Sequence, residues 1–317
     1  MSGVLDSNVA FSCVSSLRLD NFIYTQECFA DLRRVLRPDG LLSLSFASAV
    51  PWVTQRLSGM LTAAFGHPPV CLVTTYSEFI TAGEESVLAT LRRKMQASPG
   101  EGGPPVGPLV PAPVFTAAAQ LATDDWPFLF ISERGIPPHY LLPLFLIFIL
   151  SLGLLALWVR DRGSFSPHFF FLGAGFLMLE TRGVIALGLQ YGTTWMVNTT
   201  VLIVTLLVIL LANLVLAKRG PCSLARVYPL LLLSLLGYYA ASRLGNNLFA
   251  SPVLALLWAS FLYALPLFLA ALIFGSSLER HGNIGAIFFS NLLGATLGGL
   301  AEYSSMVIGI HALLLLA

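Results

Sequence analysis

The sequence predicts a partial α/β, Rossmann-like segment followed by an α-helical polytopic membrane domain, and three observations support this fold class. Hydrophobic residues make up 56% of the 317 residues and charged residues only 10%, whereas about 25% of an ordinary globular chain is charged. The charges are concentrated at one end, with 21 among the first 138 positions and 12 among the remaining 179. Alternating strand and helix patterns occur only in the first part. We therefore expect an α/β segment at 1–97, a linker and pre-membrane segment at 98–138, and a membrane domain at 139–317.

Before position 41 the sequence predicts the end of one strand and one helix. A short apolar run ends at Asp6, and Thr25 is a suitable residue to begin a helix. Apolar side chains recur at helical spacing after it, at Phe29, Leu32 and Leu36. The turn Arg37-Pro38-Asp39-Gly40 ends this helix, because proline and glycine interrupt helical patterns.

Two further strands and a second helix follow that turn. Large apolar residues alternate with serine over 41–46, as a half-buried strand requires. Pro51 is acceptable at the first position of a helix, and the apolar face of this helix consists of Val53, Leu57, Met60, Leu61 and Ala64. Residues 70–74 predict another strand. The order β-α-β-α-β indicates an open α/β sheet with helices on its faces, which about 100 residues leave incomplete.

A segment rich in proline and glycine separates the two predicted domains. Residues 98–113 contain six prolines and four glycines in sixteen positions, which is typical of a loop or linker. We expect the aromatic run that follows, within 123–130, to lie at the membrane surface. Asp124 and Asp125 in this run allow two interpretations, which are paired acids of a site or caps of a helix or turn.

The membrane domain is predicted from apolar runs near the length that crosses a bilayer, which is about 20 residues in a helix. Six such runs are present, at 139–159, 169–189, 195–217, 227–241, 252–274 and 284–300. A seventh begins near Met306 and reaches Ala317 after 12 residues, which is short for a span. We therefore expect six to seven spans, a lipid bilayer as partner, and a chain that is truncated at this end.

Basic residues near the span ends bear on orientation, because Lys and Arg are enriched on the cytoplasmic side. Six of them follow the first, third and fifth spans, whereas two lie on the opposite side. This count places the α/β segment outside the cytoplasm. Long soluble domains can override loop charge, however, and a re-entrant second span would change the side of all that follows. Between the two orientations we favour a cytoplasmic α/β segment.

Composition disfavours several classes of partner. The net charge is +1 and the longest basic run is Arg92-Arg93-Lys94, so we expect no nucleic-acid partner. The four cysteines form no CxxC pair and have no histidine at metal-ligand spacing. This pattern indicates neither a disulfide framework nor a metal site.

Four segments carry a resemblance to a known family. The first joins VLDS at 4–7 to Tyr24-Thr25-Gln26-Glu27, a helix, the turn at 37–40 and a strand. The others are TDDWPFLF at 123–130, FLGAGFLMLETRG at 171–183 and SNLLGATLGGLAEYSSMVIG at 290–309. In this order they resemble the membrane-embedded bacterial branch of the spermidine synthases. The fold that this resemblance implies is a methyltransferase-like α/β domain fused to a multi-span membrane domain.

The resemblance implies a transferase that uses S-adenosylmethionine or decarboxylated S-adenosylmethionine as donor and a small amine as acceptor. It assigns Asp6 as the catalytic carboxylate that orients and deprotonates the amine, and Ser7 and Tyr24 as substrate-binding residues. The chain departs from the family motif at Val9, which replaces a second aspartate.

The resemblance also implies what this chain lacks and where it belongs. The family's glycine-rich donor loop and ribose-binding acid precede the position of Asp6, so we expect a chain that is truncated at this end too and inactive by itself. A homo-oligomer in which a partner chain completes the sheet is an alternative that the sequence leaves undecided. The implied location is the bacterial inner (plasma) membrane, as a multi-pass protein.

Polar side chains inside the spans predict a membrane polar site. Glu180 lies near the middle of the second span with Arg182 two positions later, and charge at that depth costs about 2.5 to 3.5 kcal/mol. Residues two apart do not face each other on a helix, so these two need different partners. The candidate partners are Asn198, Asn213, Asn291 and Glu302. We assign Glu180, Arg182, Asn291 and Glu302 to the site, either as a polar pathway or as a hydrogen-bonded clasp.

Glycines inside the spans predict close helix packing. The run Gly173-Ala174-Gly175 lies within an apolar span rather than after a soluble strand, so it does not have the context of a dinucleotide-binding loop. Gly294 and Gly298 form a GxxxG pair, which is typical of helix interfaces in membranes.

Two functions follow from these observations as alternatives. The first is a spermidine synthase-like transferase with the donor and acceptor named above. The second is a non-enzymatic membrane carrier of polyamines or small cations, or a scaffold, with a vestigial α/β segment. In the second case Glu180 and Glu302 would be the working residues.

Overall fold

In a computed structural model the chain divides into two units, Met1–Gly135 and Ile136–Ala317. The structure describes residues 19–46, 51–73, 78–97, 109–110, 120–162, 165–191, 195–244, 251–280 and 283–317. The predicted strand end at Asp6 lies outside these ranges.

The first unit alternates short helices and strands. Its elements are a 3-10 helix at Leu19–Tyr24, α1 at Gln26–Val35, β1 at Leu41–Phe46, α2 at Pro51–Phe65, β2 at Val70–Val73, β3 at Glu78–Gly83, α3 at Glu85–Ala97 and β4 at Leu109–Val110. Thr25 is the N-cap of α1, and its hydroxyl accepts a hydrogen bond from the Cys28 backbone N–H. The predicted helices at 25 and 51 are therefore confirmed, as are the strands at 41–46 and 70–73.

The described strands form one small sheet in the order β1-β3-β2-β4, and every neighbouring pair is antiparallel. Ile80 of β3 is paired with Leu44 of β1 on one side and with Cys71 of β2 on the other. Because β1 and β2 are both antiparallel to β3, they run in the same direction, and α2 is the crossover between them. Strand β3 was not predicted from the sequence. A Rossmann-like arrangement therefore remains a prediction for this unit.

The core of the first unit lies between helices α1 and α2 and the sheet. Phe29, Val53, Leu57 and Met60 are fully buried, and each such side chain contributes about 1.5 to 3 kcal/mol by leaving water. The predicted apolar faces of both helices are thus the faces that pack.

The aromatic run at 123–130 belongs to this core, whereas the sequence analysis allowed its side chains to lie at a membrane surface. Trp126 and Leu129 are fully buried within the first unit, and Phe128 is 2% exposed. Ala122 and Leu129 pack into the same cluster as Phe29. Aromatic side chains favour both a buried core and a membrane surface, so the sequence alone does not show which of the two this run occupies.

Arg56 on α2 holds the end of this segment in place. Its side chain is fully buried and its guanidinium donates hydrogen bonds to four backbone carbonyls, those of Phe128, Leu129, Ile131 and Ser132, at 2.6 to 3.0 Å. The guanidinium also lies 5.3 Å from the centre of the Trp126 ring. Burial lowers the pKa of Arg56 to about 10, so the side chain is still charged near neutral pH.

The second unit is helical throughout. Its elements are α4 at Pro138–Arg162, α5 at Pro167–Tyr191, α6 at Trp195–Arg219, α7 at Leu224–Leu244, α8 at Pro252–Leu278, α9 at Ile284–Ala301, a 3-10 helix at Glu302–Ser304, α10 at Ser305–Ile308 and α11 at Leu313–Leu316. Six helices in the described part of the chain are long and apolar enough to cross a membrane. Many of their apolar side chains point outward, as in Leu142, Phe145 and Leu150, which are each more than half exposed. The chain is therefore of the multi-pass membrane type.

Helices α5 and α9 pack together through small residues. A Cβ added at Gly294 would overlap the Phe170 backbone, and one at Gly298 would lie 2.7 Å from the Ala174 carbonyl oxygen. A Cβ at Gly173 would likewise overlap the Asn291 backbone. These contacts confirm that the glycines serve close helix packing.

The predicted seventh run does not form a seventh span in the described part of the chain. The candidate span that begins at Ile284 continues to Ile308, so Met306 belongs to the sixth span. Gly309 then ends the helix with a φ of +91°, a conformation that favours glycine. The single turn Leu313–Leu316 follows. Among the described residues, the count is therefore six candidate spans.

Candidate functional site

Two of the segments on which the resemblance rests, about 97 residues apart in the sequence, meet in the first unit. The Thr25 hydroxyl lies 2.7 Å from Asp124 Oδ1 and donates to it. The Asp124 backbone N–H donates to Glu27 Oε2 at 3.0 Å, and the Gln26 N–H donates to the Ala122 carbonyl at 2.9 Å. We call the group formed by Glu27, Asp124 and Asp125 the acidic corner.

The acidic corner places three carboxyl groups at the start of helix α1. Partial burial raises the pKa of Glu27, and the negative charges of Asp124 and Asp125 raise it further. A carboxyl with a raised pKa is a stronger base when ionised, and a cationic ligand would relieve the repulsion among the three groups.

Cys28 lies beside this corner but is not a candidate nucleophile. Burial raises the pKa of its thiol to about 11, and Asp124 and Asp31 contribute in the same direction. A thiol in this range stays protonated at neutral pH and reacts slowly.

Asp124 lies in a turn and its side chain is hydrogen-bonded there. Thr123 and Trp126 form a tight turn, with hydrogen bonds between their backbones at 2.9 and 3.2 Å, and Asp124 lies within it. Its side chain binds the Thr25 hydroxyl, as described above. Asp124 therefore has the structural role in a turn, while its charge still belongs to the acidic corner together with that of Asp125.

The site residues implied by the resemblance are only partly described. Asp6 and Ser7 lie outside the described residues. Tyr24 is 3% exposed and packs in the core of the first unit, so its contact with a substrate stays a prediction. Its neighbours Thr25 and Glu27 are the residues of this segment that reach the acidic corner.

The second unit contains a cavity of about 460 Å³ between helices α5, α6, α8 and α9. Its polar lining consists of Glu180, Asn213 and Asn291. The apolar lining includes Leu172, Phe176, Phe274, Leu278 and Phe288. Two of the four predicted membrane polar residues, Glu180 and Asn291, thus lie together, and Asn213 joins them.

The other two predicted residues of the membrane polar site have other surroundings. The Thr181 hydroxyl donates to Glu302 Oε2 at 3.3 Å, which links α5 to the end of α9. Arg182 is 4% exposed and interacts electrostatically with Tyr238 on α7. Tyr238 was not among the expected partners, and the expectation that Glu180 and Arg182 contact different neighbours stays a prediction. The side chain of Asn198 is outside the described set.

Two further polar groups were missed by the sequence analysis. Arg56 carries no local sequence signal, because its carbonyl partners lie more than 70 positions away. His168 is hydrogen-bonded on both ring nitrogens, to the Ser277 hydroxyl at 2.9 Å and to the Tyr228 hydroxyl at 3.0 Å. These three residues belong to three different helices near their ends, so no single segment reveals them.

Among the described residues, no group of three or more His, Cys, Asp or Glu side chains lies close enough together to hold a metal ion. Comparisons with protein-family models, with curated proteins and with solved structures gave no match.

Proposed function

We propose that this chain is part of a spermidine synthase-like transferase embedded in a bacterial inner membrane, which acts on a small amine. The observation that carries the proposal is the contact between the Tyr24–Glu27 segment and the 123–130 segment. These are two of the segments on which the resemblance rests, and they meet at an acidic corner.

The acidic corner fits the chemistry of an amine acceptor. An amine is protonated at neutral pH, and carboxylates hold an ammonium group by charge-assisted hydrogen bonds. Glu27, Asp124 and Asp125 offer three such groups, and the Thr25 hydroxyl fixes the orientation of Asp124. The donor, S-adenosylmethionine or its decarboxylated form, would supply the group to be transferred. The resemblance assigns the acceptance of the amine proton to Asp6.

The binding of a small amine tests this part of the proposal. We would measure putrescine binding to the purified chain in detergent by calorimetry, with Asp125→Asn as the test variant and Asp39→Asn, in an exposed turn, as the control. Weaker binding in the first variant alone would support the acidic corner as the acceptor site. Equal binding in both variants and the unchanged chain would exclude it.

The membrane cavity favours a second candidate function, a carrier of small cations. A carboxyl group deep between helices is typical of substrate pathways in membrane proteins, and Glu180 lies in such a position. Uptake of labelled amines into proteoliposomes distinguishes this function from the transferase. Loss of uptake in Glu180→Gln, with folding preserved, would support the carrier, whereas unchanged uptake would count against it. A scaffold without transport is the remaining outcome.

A further inference from the structure

The cavity of the second unit lies in one half of the predicted membrane. Consecutive spans alternate in direction, so α5 and α9 begin on the side where α6 and α8 end. The exposed basic residues Lys218, Arg219, Arg226 and Arg280 lie on that side, and we call it the basic end. All four helices that line the cavity contribute residues from this half.

Positions along the helices give the depth of each polar group. At a rise of about 1.5 Å per residue, Asn213 lies about 9 Å from the end of α6 and Asn291 about 10 Å from the start of α9. By the same rise, Glu180 lies about 20 Å from the start of α5, which is close to the middle of this 25-residue helix of about 37 Å. The polar lining therefore leads from the basic end to a carboxyl group near the midplane.

Apolar and aromatic side chains form the rest of the wall. Phe176, Phe274 and Phe288 come from three different helices, and aromatic ring faces attract organic cations. Phe288 is 54% exposed, so the cavity opens toward the outer surface of the helix bundle near the basic end. An apolar group on a ligand would find favourable surroundings here, and a second charge would not.

We propose that this cavity binds an organic monocation with an apolar body, which enters from the basic end and places its charge against Glu180. Glu180 is the acidic residue among the lining residues, so it can neutralise one positive charge. A polyamine would leave further charges against apolar walls, where unpaired charge is costly. The basic end also repels a multiply charged cation more strongly than a singly charged one. This inference does not depend on the transferase proposal.

The test uses a permanently charged probe and its uncharged isostere. We would measure the binding of benzyltrimethylammonium and of neopentylbenzene, in which carbon replaces the charged nitrogen, to the full chain in detergent. The unchanged chain is expected to bind the charged probe roughly tenfold or more tightly than the isostere, because the Glu180 carboxylate and the aromatic ring faces attract its positive charge. Spermidine is expected to compete poorly.

Variants of single residues complete the test. Glu180→Gln keeps the shape of the side chain and is expected to remove the preference for the charged probe, whereas Glu279→Gln, exposed at the end of α8, is expected to preserve it. If Glu180→Gln fails to fold, the comparison of the two probes on the unchanged chain still decides. Equal binding of the two probes, or an undiminished preference in folded Glu180→Gln, would overturn the proposal. Neither result would affect the test of the acidic corner.

Discussion

Substitution of Gly298 by alanine should weaken the second unit, because α5 approaches α9 too closely for a side chain at this position. The added Cβ would lie 2.7 Å from the Ala174 carbonyl oxygen and 2.8 Å from the Ala174 Cα. Both atoms are backbone, so the helices must separate by several tenths of an ångström. Overpacking of this kind costs about 1 to 3 kcal/mol, against which alanine gains about 0.5 to 1 kcal/mol in a helix interior. We expect a net loss of up to about 2.5 kcal/mol in the free energy of unfolding.

The matched control is the next residue on the same helix. A Cβ at Gly299 would meet the Leu177 side chain at 3.2 Å, and a flexible side chain can move aside. Gly299→Ala should therefore keep the helical gain of alanine and leave the second unit unchanged or up to about 1 kcal/mol more stable. Reversible unfolding in mixed micelles of dodecyl maltoside and sodium dodecyl sulfate, followed by circular dichroism, would measure both. If the two variants differ by less than the error of the measurement, the packing argument is wrong.

Three further predictions concern the first unit. Arg56→Gln should lower its stability by about 3 kcal/mol, since buried carbonyls lose a charged donor. Hydrogen exchange at 126–132 should rise in this variant, whereas Arg93→Gln, at an exposed position of α3, should leave that exchange unchanged. Glu27→Gln should stabilise this unit at pH 7, because burial and the nearby aspartates raise the pKa of Glu27 above its ordinary 4.5 and the ionised form therefore costs stability. This gain should decrease as the pH falls through 4.5 and vanish below it, where Glu27 is protonated in both the folded and the unfolded chain. An equal gain at pH 4 and pH 7 would contradict a raised pKa for Glu27. Burial raises the pKa of Cys28 and of Cys71 to about 11. Both thiols should therefore react with iodoacetamide far more slowly at pH 8 than free glutathione does. Rapid labelling of either cysteine, detected by mass spectrometry, would contradict this prediction.

The helices could be predicted from the sequence because their signals are local. Apolar faces at 3.6-residue spacing and long apolar runs depend only on neighbouring residues, so α1, α2 and the six spans were identified to within a few positions. The small-residue packing of Gly298 could also be predicted, since a GxxxG pair has few other uses inside an apolar helix.

Features that depend on distant partners could not be predicted in the same way. Strand β3 lies between β1 and β2, and a pairing of this kind depends on the fold rather than on the segment Glu78–Gly83 itself. The burial of Trp126 depends on Arg56, about 70 positions away. For the same reason the sequence named Glu180 and Asn291 as polar residues in spans but could not show that both line one cavity.

The central claim, that the first unit belongs to a transferase with an S-adenosylmethionine-type donor, is tested most directly by donor binding. We would measure equilibrium binding of labelled S-adenosylmethionine and of its decarboxylated form to the purified chain in detergent, with Asp6→Asn as test variant and Asp39→Asn as control. The account predicts that the sheet of this chain, or a dimer that completes it, forms a donor site. Binding of one of the two donors should then be saturable, lost in Asp6→Asn and retained in Asp39→Asn. A folded chain that binds neither donor, or binds equally well after Asp6→Asn, would contradict it.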